Sequence, residues 1–130
     1  MNKIAPDESI IIDLNDFEMP IYSEDREKIG GIPEKALKFK KLISECDGIV
    51  ISLAEHNGAY TAAFKNIFDW CSIHDRDFLK GKKCIVISAS PGARGGAGSN
   101  KVISTMFGFF GVEVLDNITI GLFEEKYQER

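Results

Sequence analysis

Short apolar runs alternate along this chain with stretches in which apolar residues recur at helical spacing. Ile49-Val50-Ile51-Ser52-Leu53 and Cys84-Ile85-Val86-Ile87 are near-continuous and rich in β-branched side chains, the pattern of strands covered on both faces. Val112, Val114 and Ile118 mark a later strand, and Ile10-Ile11-Ile12, within Ser9 to Leu14, reads as the first strand. Helical spacing fills the intervals. Phe39, Leu42, Ile43 and Cys46 fall at i, i+3, i+4 and i+7 behind Pro33, which suits a first helical turn, with Lys35, Lys38 and Lys41 on the wet side. Tyr60, Ala63, Phe64, Ile67, Phe68 and Cys71 predict a second helix. Val102, Ile103, Met106 and Phe110 predict a third, ending at Gly111. Asn15 to Ile32 is left as a long connection whose charged run from Ser23 to Lys28 reads as a solvated loop, and Glu124 to Arg130 is a polar tail.

Strands that alternate with helices imply an α/β fold with parallel pairing and right-handed crossovers. Parallel geometry puts every strand-to-helix loop on one edge of the sheet. Ala54-Glu55-His56-Asn57-Gly58 and the glycine-rich stretch from Ser88 to Gly98 are therefore expected to be neighbours. Open α/β sheets bind ligands in such a crevice, at the carboxyl ends of their strands. Glycine suits a loop whose backbone must approach a ligand closely or take positive φ. The pattern points to small-molecule binding.

At 130 residues the chain is expected to form one domain. A net charge of −4 argues against nucleic acid or an anionic membrane as main partner, since both call for basic patches. No apolar run approaches the ~20 residues of a membrane span. Cys46, Cys71 and Cys84 are odd in number and lie in apolar segments, which predicts buried free thiols in a reducing cytoplasm. The His, Cys, Asp and Glu residues have no nucleophile–base or metal-ligand spacing, so no catalytic side chain and no metal set is assigned. A phospho-accepting response-regulator-like module is disfavoured, because no paired acidic residues precede an Asp at a strand end.

Both loops carry a family likeness. Ala54-Glu55-His56-Asn57-Gly58, with Phe64-Lys65-Asn66-Ile67-Phe68-Asp69-Trp70 after it, resembles the Pro-Glu-Tyr-Asn-Gly … Leu-Lys-Asn-Ala-Leu-Asp-Trp signature of the NADPH-dependent FMN reductases. Ser90-Pro91-Gly92-Ala93-Arg94-Gly95-Gly96 is similar to that family's second flavin loop, and Asp13-Leu14 with Met19-Pro20-Ile21-Tyr22 resembles its Asp-Leu … Leu-Pro-Leu-Tyr segment. The resemblance implies a three-layer flavodoxin-like sheet with helices on both faces. It implies FMN as cofactor, NADPH or NADH as electron donor, a quinone-like or other small acceptor, and a homo-oligomer (dimer or tetramer). It places Glu55, His56, Asn57 and Gly58 at the isoalloxazine ring, with Ser90, Pro91, Gly92, Ala93, Arg94, Gly95 and Gly96 on its other side and along the ribityl chain. Asn66, Asp69 and Trp70 are expected to anchor helix and core, and His74 to be solvated.

The chain departs from the family at its start. Members open with a strand and a Gly-Ser-x-Arg-x-x-Ser-type phosphate loop, and nothing like it precedes Ile10. Met1 to Glu8 is too short for such a βα unit. In the order 2-1-3-4-5 the missing strand is the central one. Its place is expected to be closed by direct pairing of its neighbours, filled by another chain, or removed by rearrangement of the first segment. Without the phosphate loop, FMN affinity is expected to fall by about three to four decades. The alternative is a non-catalytic, flavin-free relative that acts as a folded subunit or interaction module.

Overall fold

The computed structural model of the chain describes residues 9–127. A 3₁₀ turn at Leu14–Phe17 is followed by α1 (Glu24–Gly30), α2 (Glu34–Ser44), β1 (Gly48–Leu53), β2 (Glu55–His56) and β3 (Ala59–Tyr60). Then come α3 (Ala62–His74), β4 (Lys83–Ala89), α4 (Ala97–Phe109), β5 (Glu113–Ile120) and the short α5 (Phe123–Lys126). The long strands form a parallel sheet in the order β1-β4-β5, and β2 and β3 form a separate antiparallel hairpin. This is the α/β class expected from the alternation, with helices flanking a parallel sheet.

Register decides which residues meet the helices. Gly48 to Leu53 pair in step with Lys83 to Ser88. The β4–β5 ladder shifts between Cys84 and Ile85, whose partners are Val114 and Asp116, so Leu115 is skipped and stands exposed. Leu53, Cys84 and Val86 join the core with Phe64, Ile67 and Phe68 of α3 and Ile103 and Phe107 of α4. Phe68 sits at the centre, its ring 4.7 Å from that of Phe110 and 5.5 Å from that of Phe78, both edge-on. On the opposite sheet face Ile85 and Ile87 are only half-buried, and Val50 and Ile118 beside them are exposed.

The first strand is a correction. Residues 9–13 form no ladder, and Ile10 and Ile11 are 73% and 68% exposed. Three consecutive isoleucines favour extended backbone, but a strand exists only with a partner, and β1 pairs with β4 alone among the described residues. Direct pairing of the Ile10–Leu14 segment with β1, one of the three outcomes expected for the central gap, does not occur. That segment is held from α3 instead. The Asn66 side chain accepts from the Tyr22 amide (2.8 Å) and donates to the Met19 and Pro20 carbonyls, while the Trp70 indole donates to Pro20 O at 2.7 Å. Among the described residues the Asp69 carboxylate pairs with Lys65 alone, an i,i+4 contact on the helix surface. His74 is exposed but lies 2.7 Å from Lys40 Nζ, which also pairs with Asp75.

The charged run is a second correction. Ser23 to Lys28 is no loop: Ser23 Oγ accepts from the Arg26 amide and caps α1, whose first turn holds Glu24, Asp25 and Glu27, as a helix N-terminus favours. It is solvated as expected, with no buried residue. The expectations for Met1 to Glu8 and for the end of the polar tail lie outside the described residues. No helix among the described residues is long and apolar enough to cross a membrane.

The cysteines are free, with Cys71 and Cys84 buried and Cys46 half-buried. Burial pushes the Cys71 thiol up to about 12 and the Cys84 thiol up to about 11, from an ordinary value of 9.0. At pH 8 the folded protein is expected to release one equivalent of thionitrobenzoate from Ellman's reagent, through Cys46, and three after unfolding. Above pH 9 the unfolded thiols ionise while the folded ones stay protonated. The unfolded chain then binds fewer protons, so stability should fall between about pH 9 and 11.

Candidate functional site

The chain leaves β1 into a tight hairpin. Glu55 pairs with Tyr60 and His56 with Ala59, which leaves Asn57 and Gly58 as a two-residue loop. Both are left-handed, at φ 54° and 79°, the backbone of a type I′ turn and the reason Asn-Gly suits this position. His56, Asn57 and Gly58 are exposed at the tip, whereas Glu55 is half-buried at the base.

The glycine-rich loop is fastened to the exit of β5. The Ser90 amide donates to Ile120 O, the Leu122 amide to Gly92 O and the Phe123 amide to Ser90 O, at 3.1–3.2 Å. Gly95 and Gly96 are both left-handed and buried. A Cβ on Gly95 would stand 2.6 Å from Gly121 N, and one on Gly96 2.9 Å from Ser88 Cβ. The same closeness holds from the other side, where a Cβ on Gly121 would run into Ala93 O. Ser90 Oγ turns back onto Gly92 O at 3.3 Å. Pro91, Gly92, Ala93 and Arg94 face solvent. The amides of Gly92, Ala93 and Arg94 donate to no group among the described residues. The Arg94 guanidinium has no carboxylate partner among them.

The two loops touch, as parallel pairing requires. Glu55 Oε2 accepts from the Ser99 amide at 2.8 Å, and a Cβ on Gly98 would stand 2.6 Å from Gly58 O. A buried polar floor lies beneath: Asn100 Nδ2 donates to Ser88 Oγ (3.4 Å) and Ile118 O (3.2 Å), and Ser99 Oγ donates to Gly96 O (2.9 Å). Sequence reasoning placed Gly98 in the glycine-rich stretch but missed Ser99 and Asn100, although small and polar residues in the first turn of an otherwise apolar helix were the available signal.

All eleven predicted site residues therefore lie on one sheet edge, in two groups of different character. Glu55, Ser90, Gly95 and Gly96 are engaged in holding the loops. His56 to Gly58 and Pro91 to Arg94 present exposed backbone. The place is an open shelf. A shallow hollow of about 360 Å³ runs between α4 and β5 and shares Asn100 with the floor, and one of about 420 Å³ lies apart, beside Ile10–Ile12 and Phe17.

Residues 5–124 match the family model described as NADPH-dependent FMN reductase. A quinone reductase of Pseudomonas putida is 30% identical over 104 residues, 79% of this chain and 55% of that protein. A 2-hydroxy-1,4-benzoquinone reductase of Burkholderia is 35% identical over 80 residues, 61% of this chain and 43% of that protein. The chain spans about half the length of the curated relatives it matches. Among solved structures, FerB of Paracoccus denitrificans, described as a flavoenzyme NAD(P)H:(acceptor) oxidoreductase, superposes with a TM-score of 0.71 at 26% identity, covering 88% of this chain and 62% of its own. An azoreductase of Bacillus anthracis, at 18% identity and a TM-score of 0.66 over 95% of this chain and 74% of its own, shares the fold.

Proposed function

The chain belongs to the NADPH-dependent FMN reductase family, and from that premise we propose that it is an NAD(P)H-dependent oxidoreductase whose flavin ring lies between the β2–β3 hairpin and the 90–96 loop. The observation that carries this reading is the meeting of the two loops at one sheet edge, with the Gly92, Ala93 and Arg94 amides left without partners among the described residues.

The residues present fit one part of the cofactor and not another. Adjacent backbone donors on an open shelf suit the polar edge of a flat heteroaromatic ring, and glycine at the hairpin tip lets that ring approach. His56 to Gly58 are assigned one side of the ring, Ser90 to Gly96 the other side and the ribityl chain. The phosphate finds less. The N-terminus of α4, the helix end at these loops, already holds the Glu55 carboxylate, and Arg94 is the cation that the loop itself carries.

A bound flavin supplies the two-electron chemistry. The chain's own part is to hold the ring edge with amide donors, fix its tilt through the hairpin, and leave one face open for nicotinamide and acceptor in turn. No side chain here is assigned a proton transfer. The quinone reductases among its relatives support a quinone-like acceptor. Phe109, 77% exposed on α4, supports a homo-oligomer, and the buried free thiols suit a reducing cytoplasm.

The edge of β1, unpaired among the described residues, favours a second reading, a flavin-free folded subunit. Titration with FMN, followed by flavin fluorescence, separates the two. The first reading expects saturable quenching with a Kd of about 1–100 μM and bleaching of bound flavin by NADPH. No saturation by about 100 μM FMN leaves the second.

A further inference from the structure

Helix α4 has no side-chain cap of its own. Its N-cap is Gly96, a left-handed residue without a side chain, and the first turn holds no acid. The third amide of the helix is satisfied from 44 residues away, by Glu55 Oε2. A carboxylate at that place is favoured by the helix dipole, and the bond is charge-assisted. Glu55 is also the first residue of the hairpin, its backbone paired with Tyr60. One side chain thus ties the base of one loop to the helix that begins where the other ends.

Gly98 makes the tie possible. An ideal Cβ there would stand 2.6 Å from Gly58 O and 2.8 Å from Glu55 Oε2, both closer than real Cβ contacts allow. Glycine at this position lets the hairpin tip settle on α4. The height of His56, Asn57 and Gly58 relative to the free amides of Gly92 to Arg94 is set at this contact.

We propose that Glu55 is a positioning residue of the site: its carboxylate, capping α4 from the neighbouring hairpin, fixes the spacing between the two loops that grip the ring. This role is carried by the carboxylate's bond to the Ser99 amide. This rests on the flavin reading above for its consequence in binding, while the tie itself can be measured without ligand.

The test compares Glu55→Ala, Glu55→Gln and Gly98→Ala by FMN titration and by amide hydrogen exchange of the ligand-free protein. Glu55→Ala should weaken FMN binding by about 10- to 100-fold, the range expected for a hydrogen bond to a charged group. Exchange at Ser99, Asn57 and Gly58 should quicken while the β4 amides keep their protection. Glu55→Gln, which retains an acceptor oxygen, should bring affinity back to within about tenfold of the starting protein. Gly98→Ala should loosen the same amides from the other side of the contact. If Glu55→Ala does not fold, Glu55→Asp, which draws the carboxylate back by one methylene, replaces it. Unchanged exchange at Ser99 and Gly58, loss of protection spread evenly over β4, or loosened loops with unaltered FMN affinity would each overturn the proposal. If the unsubstituted protein binds no FMN, the flavin reading fails, and the exchange arm alone judges the tie.

Discussion

Alanine in place of Gly95 is expected to lower stability by about 2–5 kcal/mol and to remove ligand binding by the loop. Two costs combine. The backbone there is left-handed, at φ 59°, which costs an L-residue about 1–2 kcal/mol. The new methyl would also meet backbone on both sides of the Ile120–Gly121 peptide, with Gly121 N and Ile120 C at 2.6 Å. Backbone cannot swing aside as a side chain can, so overpacking adds about 1–3 kcal/mol. Relief requires the loop to lift from the β5 exit, breaking the hydrogen bonds of Ser90 and Gly92 to residues 120–123. Gly58→Ala isolates the first cost, because its φ is 79° but nothing lies within 4 Å of the added methyl. Thermal unfolding should give a drop of about 10–20 °C for Gly95→Ala and about a third of that for Gly58→Ala. Equal drops would mean that the loop is not seated on β5 as described.

This loop also marks how far the sequence could be read. β4, the glycine turn and α4 were legible because each carries its own local signal: β-branched residues, a glycine cluster, then helical spacing. The meeting of the two loops was legible because parallel pairing leaves no other arrangement. What was not legible depends on partners distant in sequence. Ile10 to Ile12 carry a strand's local pattern, yet β1 offers them no pairing, and they lie outside the sheet. Glu55 looks like a site residue by position, but its carboxylate is committed to an amide 44 residues away. No periodicity encodes such a bond. The charged run was misread for a simpler reason: a short helix with no buried face lacks the apolar stripe by which helices are recognised.

The second large effect concerns the segment that failed to be a strand. Without a ladder, residues 9–22 are attached by side chains, and Trp70 is the chief of these. Its ring is 1% exposed, its indole N–H donates to Pro20 O at 2.7 Å, and the Tyr22 ring meets it edge-on with centroids 5.0 Å apart. Trp70→Ala is expected to cost about 3–5 kcal/mol, a large share of the 5–15 kcal/mol typical of a folded domain. It should also loosen the Met19–Tyr22 stretch, since Asn66 would be left as its hydrogen-bonding anchor on α3. Trp70→Phe keeps most of the packing and loses the donor, so a smaller cost of about 1–2 kcal/mol is expected. Limited proteolysis distinguishes attachment from general loosening. With Trp70→Ala, cleavage by trypsin after Arg26 or Lys28 should appear at protease levels that leave α3 and β4 intact. With Trp70→Phe it should not. Cleavage that begins in β4 would instead mean that Trp70 serves the core at large. The segment would then owe its position to Phe17, which is buried in that core and packs edge-on against Phe39 of α2.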